Sequence, residues 1–263
     1  MTRTLPFVSP MYSAPRTARR YRPAHARRGF AAGAPARCAI ALVCAVLMAG
    51  SLFLSWALGV REGLFLHALD VPVVLQDPLL PNGCEAASLA SALQFAGEDA
   101  DMLDLAYAYI PREDFYTVNG ARFGPSPQNA YAGDPAGLGF YCFAAPVAAG
   151  ANEYLAEAGS ALRAHDVTGV TAEGLRAYLS SGTPVLVWIT TDGEAPRLSA
   201  FSWTVPSTGE TVTGLANSHC VVLTALGRTR ARIMDPLCGE RTLTAGEFLF
   251  MFEKMGSRAV ALT

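Results

Sequence analysis

The chain has 263 residues, 51% hydrophobic and only 16% charged, enough for one domain of ordinary size and a tail. Its formal charge of −2 hides an asymmetry: eight arginines and no acid fall in the first 60 residues, and all 22 acidic residues come later. The part after Val60 is therefore strongly acidic and repels phosphate, which sets nucleic acid aside as a partner.

Residues 1–37 are rich in Arg, Ala and Pro and have little to bury, so they read as a disordered cytoplasmic tail. Its arginines are also suited to anionic lipid headgroups. Residues 38–60 carry no charge for 23 positions. At about 1.5 Å per residue, a helix of that length spans a hydrocarbon core of about 30 Å. The arginines before it predict a cytoplasmic N-terminus, with everything after Arg61 outside. This segment reads as an uncut signal anchor. A signal peptide cut near Ser55-Trp56-Ala57 is the alternative, which would release the domain, although its apolar core is usually only about 7–15 residues.

Residues 61–69 read as a juxtamembrane linker and 70–263 as one folded domain. Leu69 to Leu75 suggests a short edge strand interrupted by Pro72. Residues 76–83 form a turn-rich loop. From Cys84 to Ala96 the apolar spacing is helical, and Gly97 stops it. A second helix is expected over 100–109, ended by Pro111. Residues 111–138 show no clear period and read as a long loop, a feature that is usually functional or mobile. Helices follow at 146–158 and at 172–179, the latter capped by Thr171. Strands are expected at 184–190 and 258–262. A hairpin is expected from 219–226 and 231–235 about Gly227-Arg228-Thr229-Arg230. Helices first and antiparallel strands later give an α+β domain, with a helical N-terminal part packed on an antiparallel sheet.

Cys84 stands where a loop enters a helix. Unpaired N–H groups and the helix dipole favour a thiolate there, and a nearby histidine activates it further. Of four histidines, His25 lies in the tail, His67 beside the membrane and His165 in apparent loop, whereas His219 opens an apolar strand. The hairpin would bring Asp235 opposite His219 or one diagonal step away, on the same face if the register keeps parity. A carboxylate there fixes the imidazole tautomer, completing a Cys-His-Asp triad. Gln76, eight residues before Cys84, supplies a side-chain amide that can donate to an oxyanion.

Six segments carry a resemblance: Leu75-Gln76-Asp77-Pro78, Leu80-Pro81-Asn82-Gly83-Cys84-Glu85-Ala86-Ala87-Ser88-Leu89, Gly133-Asp134-Pro135, Gly182 to Trp188, Ser218 to Thr224, and Asp235-Pro236. In order and spacing they resemble the papain-like cysteine peptidases related to the bacteriocin-processing double-glycine peptidases. The resemblance implies the papain-like fold, Cys84 as nucleophile, His219 as general base, Asp235 as orienter and Gln76 as oxyanion donor. Ala225-Leu226 stands where such members often have Gly-Tyr, and no ATPase or exporter helices follow, so a bacteriocin-processing transporter is not expected. The expected activity is hydrolysis of peptide or other amide bonds on peptide or cell-wall peptide substrates, with the membrane met through residues 38–60. A catalytically silent binding module and a cell-wall amidase or transpeptidase are the rivals.

No metal or cofactor is called for, since no short Cys-x-x-Cys or His-x-x-x-His pair exists. Cys142, Cys220 and Cys238 are expected as free thiols, with a Cys220–Cys238 bridge the alternative. Glu85 reads as an acid that salt-bridges or shapes the site's entrance, or equally as a solvated surface acid. Trp188 and Trp203 read as packing, and Gly133-Asp134-Pro135 as a turn.

Overall fold

The computed structural model of the chain describes residues 34–65 and 67–263, so residues 1–33 of the tail read at 1–37 lie outside the described residues, and its last four, 34–37, are not disordered but open a helix. Helix α1 (Ala34–Phe65) includes the uncharged segment and, from Ala39 to Ala57, is long and apolar enough to cross a membrane. It continues through residues read as a linker, since no proline follows Pro35 to stop it. Residues 67–76 form no strand. Their backbone groups bond outside any ladder: Leu69 N–H to Thr224 O at 3.0 Å, Val74 N–H to Ser91 Oγ at 3.2 Å, Gln76 N–H to Pro236 O at 2.9 Å.

Helix α2 (Cys84–Phe95) is buried from Cys84 to Leu93. Its Ala and Ser residues let the sheet approach closely on one side and the helical segments Met102–Asp104, Leu105–Tyr109 and Ala144–Glu157 on the others. The helix expected over 100–109 is instead one short turn, α3 (Met102–Asp104), capped by the Asp101 carboxylate, followed by a π-turn at Leu105–Tyr109. The segment read as a structureless loop contains β1 (Arg112–Glu113), β2 (Tyr116–Val118), β3 (Ala121–Phe123) and β4 (Tyr131–Ala132). Asn119 and Gly120 turn the β2–β3 hairpin with φ of 50° and 81°. Positive φ at both positions is what a tight two-residue hairpin needs, and Asn-Gly tolerates it best.

The remaining elements are α4 (Ala144–Glu157), β5 (Ala164–Asp166), α5 (Ala172–Ser180), β6 (Val185–Thr190), β7 (Leu198–Thr204), β8 (Thr211–Leu215), β9 (Ser218–Leu226), β10 (Arg230–Asp235), β11 (Gly239–Thr244), α6 (Ala245–Lys254) and β12 (Ala259–Leu262). His165, read as loop, lies on edge strand β5 opposite Ala261. The main sheet has the order β11-β10-β9-β6-β12-β5, with every pair antiparallel.

Helices cover both faces of this sheet. Leu186, Trp188, Cys220, Val222 and Met234 pack with α2 and α4 on one side. Val185, Val187, Ile189, Val221, Leu223 and Ile233 pack with Leu175 of α5 and Phe248 and Phe252 of α6 on the other. That double cover is why β6 is buried at every position, where a one-sided sheet would alternate. The architecture is α+β, as expected, with a second helical layer supplied by α5 and α6.

A smaller sheet, β2-β3-β7-β8, carries an aromatic cluster of Phe115, Phe140, Phe201 and Trp203, with ring centroids 4.8–6.1 Å apart. Trp188 and Trp203 are both fully buried, the packing role read for them, and their indole N–H groups donate to Cys142 O and Pro125 O.

Candidate functional site

The site forms where the α2 N-terminus meets the start of β9. β9 extends beyond β10, whose last pair with it is Met234 with Val222. Trp188 pairs with Cys220 on the other side. Cys220 turns both backbone groups towards α2: its N–H donates to Cys84 Sγ at 3.3 Å, and its C=O accepts from Ser88 Oγ at 3.0 Å. Cys84 and Ser88 are one helical turn apart and so lie on one face. These two bonds pin the α2 N-terminus to the residue directly after His219.

The His219–Asp235 contact depends on a single irregularity. Ala231 opposes Leu226 and Arg232 opposes Ala225, but Ile233 opposes Leu223 and Met234 opposes Val222, so β9 contains one extra residue. Continuing the first register would set Asp235 opposite Val222, on the sheet face away from His219. After the bulge it comes opposite Val221, which shares a face with His219. Asp235 Oδ1 lies 2.7 Å from His219 Nε2, both groups buried. Arg241 Nη1 holds Oδ2 at 2.7 Å, and Leu237 N–H donates to Oδ1 at 2.9 Å. Burial alone would raise this carboxyl's pKa, but His219, Arg241 and Leu237 outweigh it and hold the group well below the usual carboxylate range. Asp235 is therefore acceptor-only, so Nε2 carries a hydrogen and Nδ1 is the free imidazole nitrogen.

Cys84 is 6% exposed, and its thiol donates to Glu85 Oε2 at 3.3 Å. Burial pushes this thiol well up, the neighbouring Glu85 and Cys220 add to that, and the Cys220 N–H opposes it. Glu85 is buried, 1% exposed, not at the surface or entrance where it was read, and its Oε1 accepts from Cys142 N–H at 3.1 Å. Burial pushes its carboxyl up to about 7 against its own N–H, the Cys84 thiol, the Cys142 N–H and the Trp188 indole. A signal for this was present. From Ala86 to Leu93 the helix has only small or apolar residues all round, so it is buried all round, its second residue included.

Gln76 is buried beside the same loop. Its Nε2 donates to Pro81 O at 2.6 Å, which leaves one N–H available, and Oε1 has no partner among the described residues. The turn at Gly133-Asp134-Pro135 braces the loop that leads into Cys84. Asn82 N–H donates to Pro135 O at 3.0 Å, Asn82 Nδ2 to Gly137 O at 3.0 Å, and Tyr131 Oη to Asn82 O at 2.7 Å. Cys44, Cys84, Cys142, Cys220 and Cys238 are all free. The Cys220–Cys238 bridge does not form, because Cys220 is buried in the core under α2 and Cys238 lies exposed outside it.

Gly83 is required by space and not by φ, which is −100°. A Cβ there would lie 2.5 Å from Leu80 Cβ, and Leu80 is fully buried and cannot yield. Gly83→Ala is expected to cost about 1–3 kcal/mol. In a calorimetric scan the unfolding midpoint should fall by about 2–4 °C per kcal/mol, with catalysis falling alongside as Cys84 shifts.

Residues 68–260 match the family model described as the Peptidase_C39 like family. The chain belongs to that family. Among solved structures it is similar to a C39-like peptidase from Bacillus anthracis, with 27% identity and a TM-score of 0.64, covering 75% of this chain and 96% of that one. It is also 29% identical over 189 residues to YvpB of Bacillus subtilis, an uncharacterized protein, covering 70% of each chain. A double glycine motif protease from an AMS/PCAT transporter aligns at 18% identity and a TM-score of 0.41, too distant to bear on the site. The fold of this C39-like chain is the papain-like α+β type, and at family level it is a cysteine peptidase.

Proposed function

We propose that this C39-like chain is a membrane-anchored thiol hydrolase that works outside the cytoplasm and cleaves peptide or other amide bonds through an acyl-enzyme. One observation carries the reading: Cys84 Sγ lies 3.3 Å from the backbone N–H that follows His219, and Asp235 holds that histidine at 2.7 Å. His219 Nδ1 takes the thiol proton, and the thiolate attacks the substrate carbonyl. The oxyanion is received by the free N–H of Gln76 and by a backbone N–H at the α2 N-terminus. The imidazolium then protonates the leaving amine, and water, activated by the imidazole, releases the acyl group and restores the thiol. The apolar stretch Ala39–Ala57 of α1, preceded by arginines, supports an anchor with an inner N-terminus and an outer domain, residues 70–263.

A second reading is favoured by the raised Cys84 thiol: a binding module that keeps the fold without turnover. The full chain in detergent, offered peptide libraries, cross-linked wall fragments and an electrophilic peptide probe, tests both. Hydrolysis together with probe attachment at Cys84 is the expected result. Neither hydrolysis nor attachment would leave the binding module, and cleavage confined to wall fragments would move the substrate to the cell wall.

A further inference from the structure

We propose that Glu85 is a catalytic residue of this site: its protonated carboxyl donates through Oε2 to the Cys84 sulfur and favours the thiolate, while its ionised carboxylate accepts the S–H bond and holds the sulfur as a thiol. The inference rests on the reading of Cys84 as nucleophile and adds a pH gate to it.

The geometry is specific. Oε2 lies 3.3 Å from Sγ, and Oε1 is fixed by the Cys142 N–H at 3.1 Å, so the carboxyl cannot swing away from the sulfur without breaking that bond. The groups facing Glu85 are neutral or weakly acidic. They are Cys84 on α2, Tyr131 on β4, Tyr141 and Cys142 before α4, Trp188 on β6 and Cys220 on β9, with His219 beside Cys220. A carboxylate in that company is costly to ionise, in keeping with a carboxyl pushed up to about 7. Glu85 also lines a cavity of ≈ 10 Å³ with Gly83, Tyr131 and Pro135, about the space of one water.

The proton count balances. Below the Glu85 transition the carboxyl is neutral, the thiol proton passes to His219 Nδ1, and the thiolate accepts from both Oε2–H and the Cys220 N–H. As pH rises through about 7 Glu85 loses its proton to solvent. The new negative charge beside the sulfur then disfavours the thiolate, and the site rests as S–H donating to carboxylate. Activity should fall on the alkaline side at the pH where Glu85 ionises. Most carboxyls have ionised well below that pH.

The test follows the alkylation rate of Cys84 by iodoacetamide against pH, read on the Cys84 peptide by mass spectrometry, in the full chain and in Glu85→Gln. The glutamine amide donates at every pH and carries no charge. The alkaline decline should therefore vanish in the variant, and Cys84 should alkylate at least about tenfold faster than wild type at about pH 8.5. A rate scaled equally at every pH would mark a structural role only and overturn the proposal. Should Glu85→Gln fail to fold, the wild-type chain itself decides. Its infrared difference spectrum should hold one protonated-carboxyl band that is lost near pH 7, and loss of every such band by about pH 5 would overturn the proposal. Alkylation needs no substrate, so absent peptide hydrolysis with a shifted alkylation profile would sink the hydrolase reading and leave Glu85's effect on the sulfur standing.

Discussion

Replacing Cys84 by alanine is expected to lower hydrolysis by at least about 10³-fold, because no other group can form the acyl bond. The fold should survive. The lost sulfur leaves the Cys220 N–H without its acceptor, worth about 1–2 kcal/mol at a buried site. It also removes the donor that Glu85 Oε2 uses, while Oε1 keeps Cys142 N–H. Circular dichroism should therefore stay close to wild type and the unfolding midpoint fall by only about 2–8 °C while turnover disappears. Retained hydrolysis in the variant would remove the mechanism. The electrophilic peptide probe is the better label here than a simple alkylator, since Cys44 and Cys238 are exposed and compete for the latter.

Asp235→Asn should be nearly as damaging, for a different reason. Asp235 accepts from His219 Nε2, Arg241 and Leu237 N–H, and an asparagine of the same shape has only one accepting atom. Its NH₂ group must face either the Arg241 cation or the Nε2 hydrogen. The imidazole escapes the second clash by moving its hydrogen to Nδ1, the nitrogen needed to take the Cys84 proton. Turnover should fall by about 10²–10⁴-fold. Breaking the buried pair should cost about 2–4 kcal/mol, discounted because Arg241 is partly exposed. The pH dependence carries a sign. The folded carboxyl is held well below its unfolded value of about 4, so its stabilisation is present above that pH and is lost as pH falls through the folded value. Denaturation midpoints of wild type and variant should differ most near neutrality and converge in strong acid. A gap that stayed constant down to about pH 2 would show that the charge plays no part.

Much of this arrangement is legible before any coordinates. Loop residues ahead of Cys84, then small and apolar residues at helical spacing, specify the helix that begins at that cysteine. The run from Val185 to Thr190 specifies a strand because β-branched and aromatic residues crowd it. Two elements had signals that a search for hydrophobic period passes over. Asn119-Gly120 marks the hairpin inside what reads as featureless loop. Thr244-Ala-Gly-Glu247 is a capping box, with reciprocal bonds at both ends, in front of the apolar face of α6. α6 follows from that box, and neither it nor β11 appears in a reading of periodicity alone.

By itself the sequence determined the α+β class, the uncharged helix and the family, and singled out Gln76, Cys84, His219 and Asp235 as candidates, because composition, period and motif spacing are local quantities. Tertiary structure alone decided the remainder. One extra residue in β9 brings Asp235 to the face of His219, and a bulge is set by how two strands settle against their neighbours, Thr224 Oγ1 bonding Arg232 O among them. Likewise, burial of Glu85 beside the sulfur depends on Cys142 and Trp188, residues distant in the chain whose contact only packing can arrange.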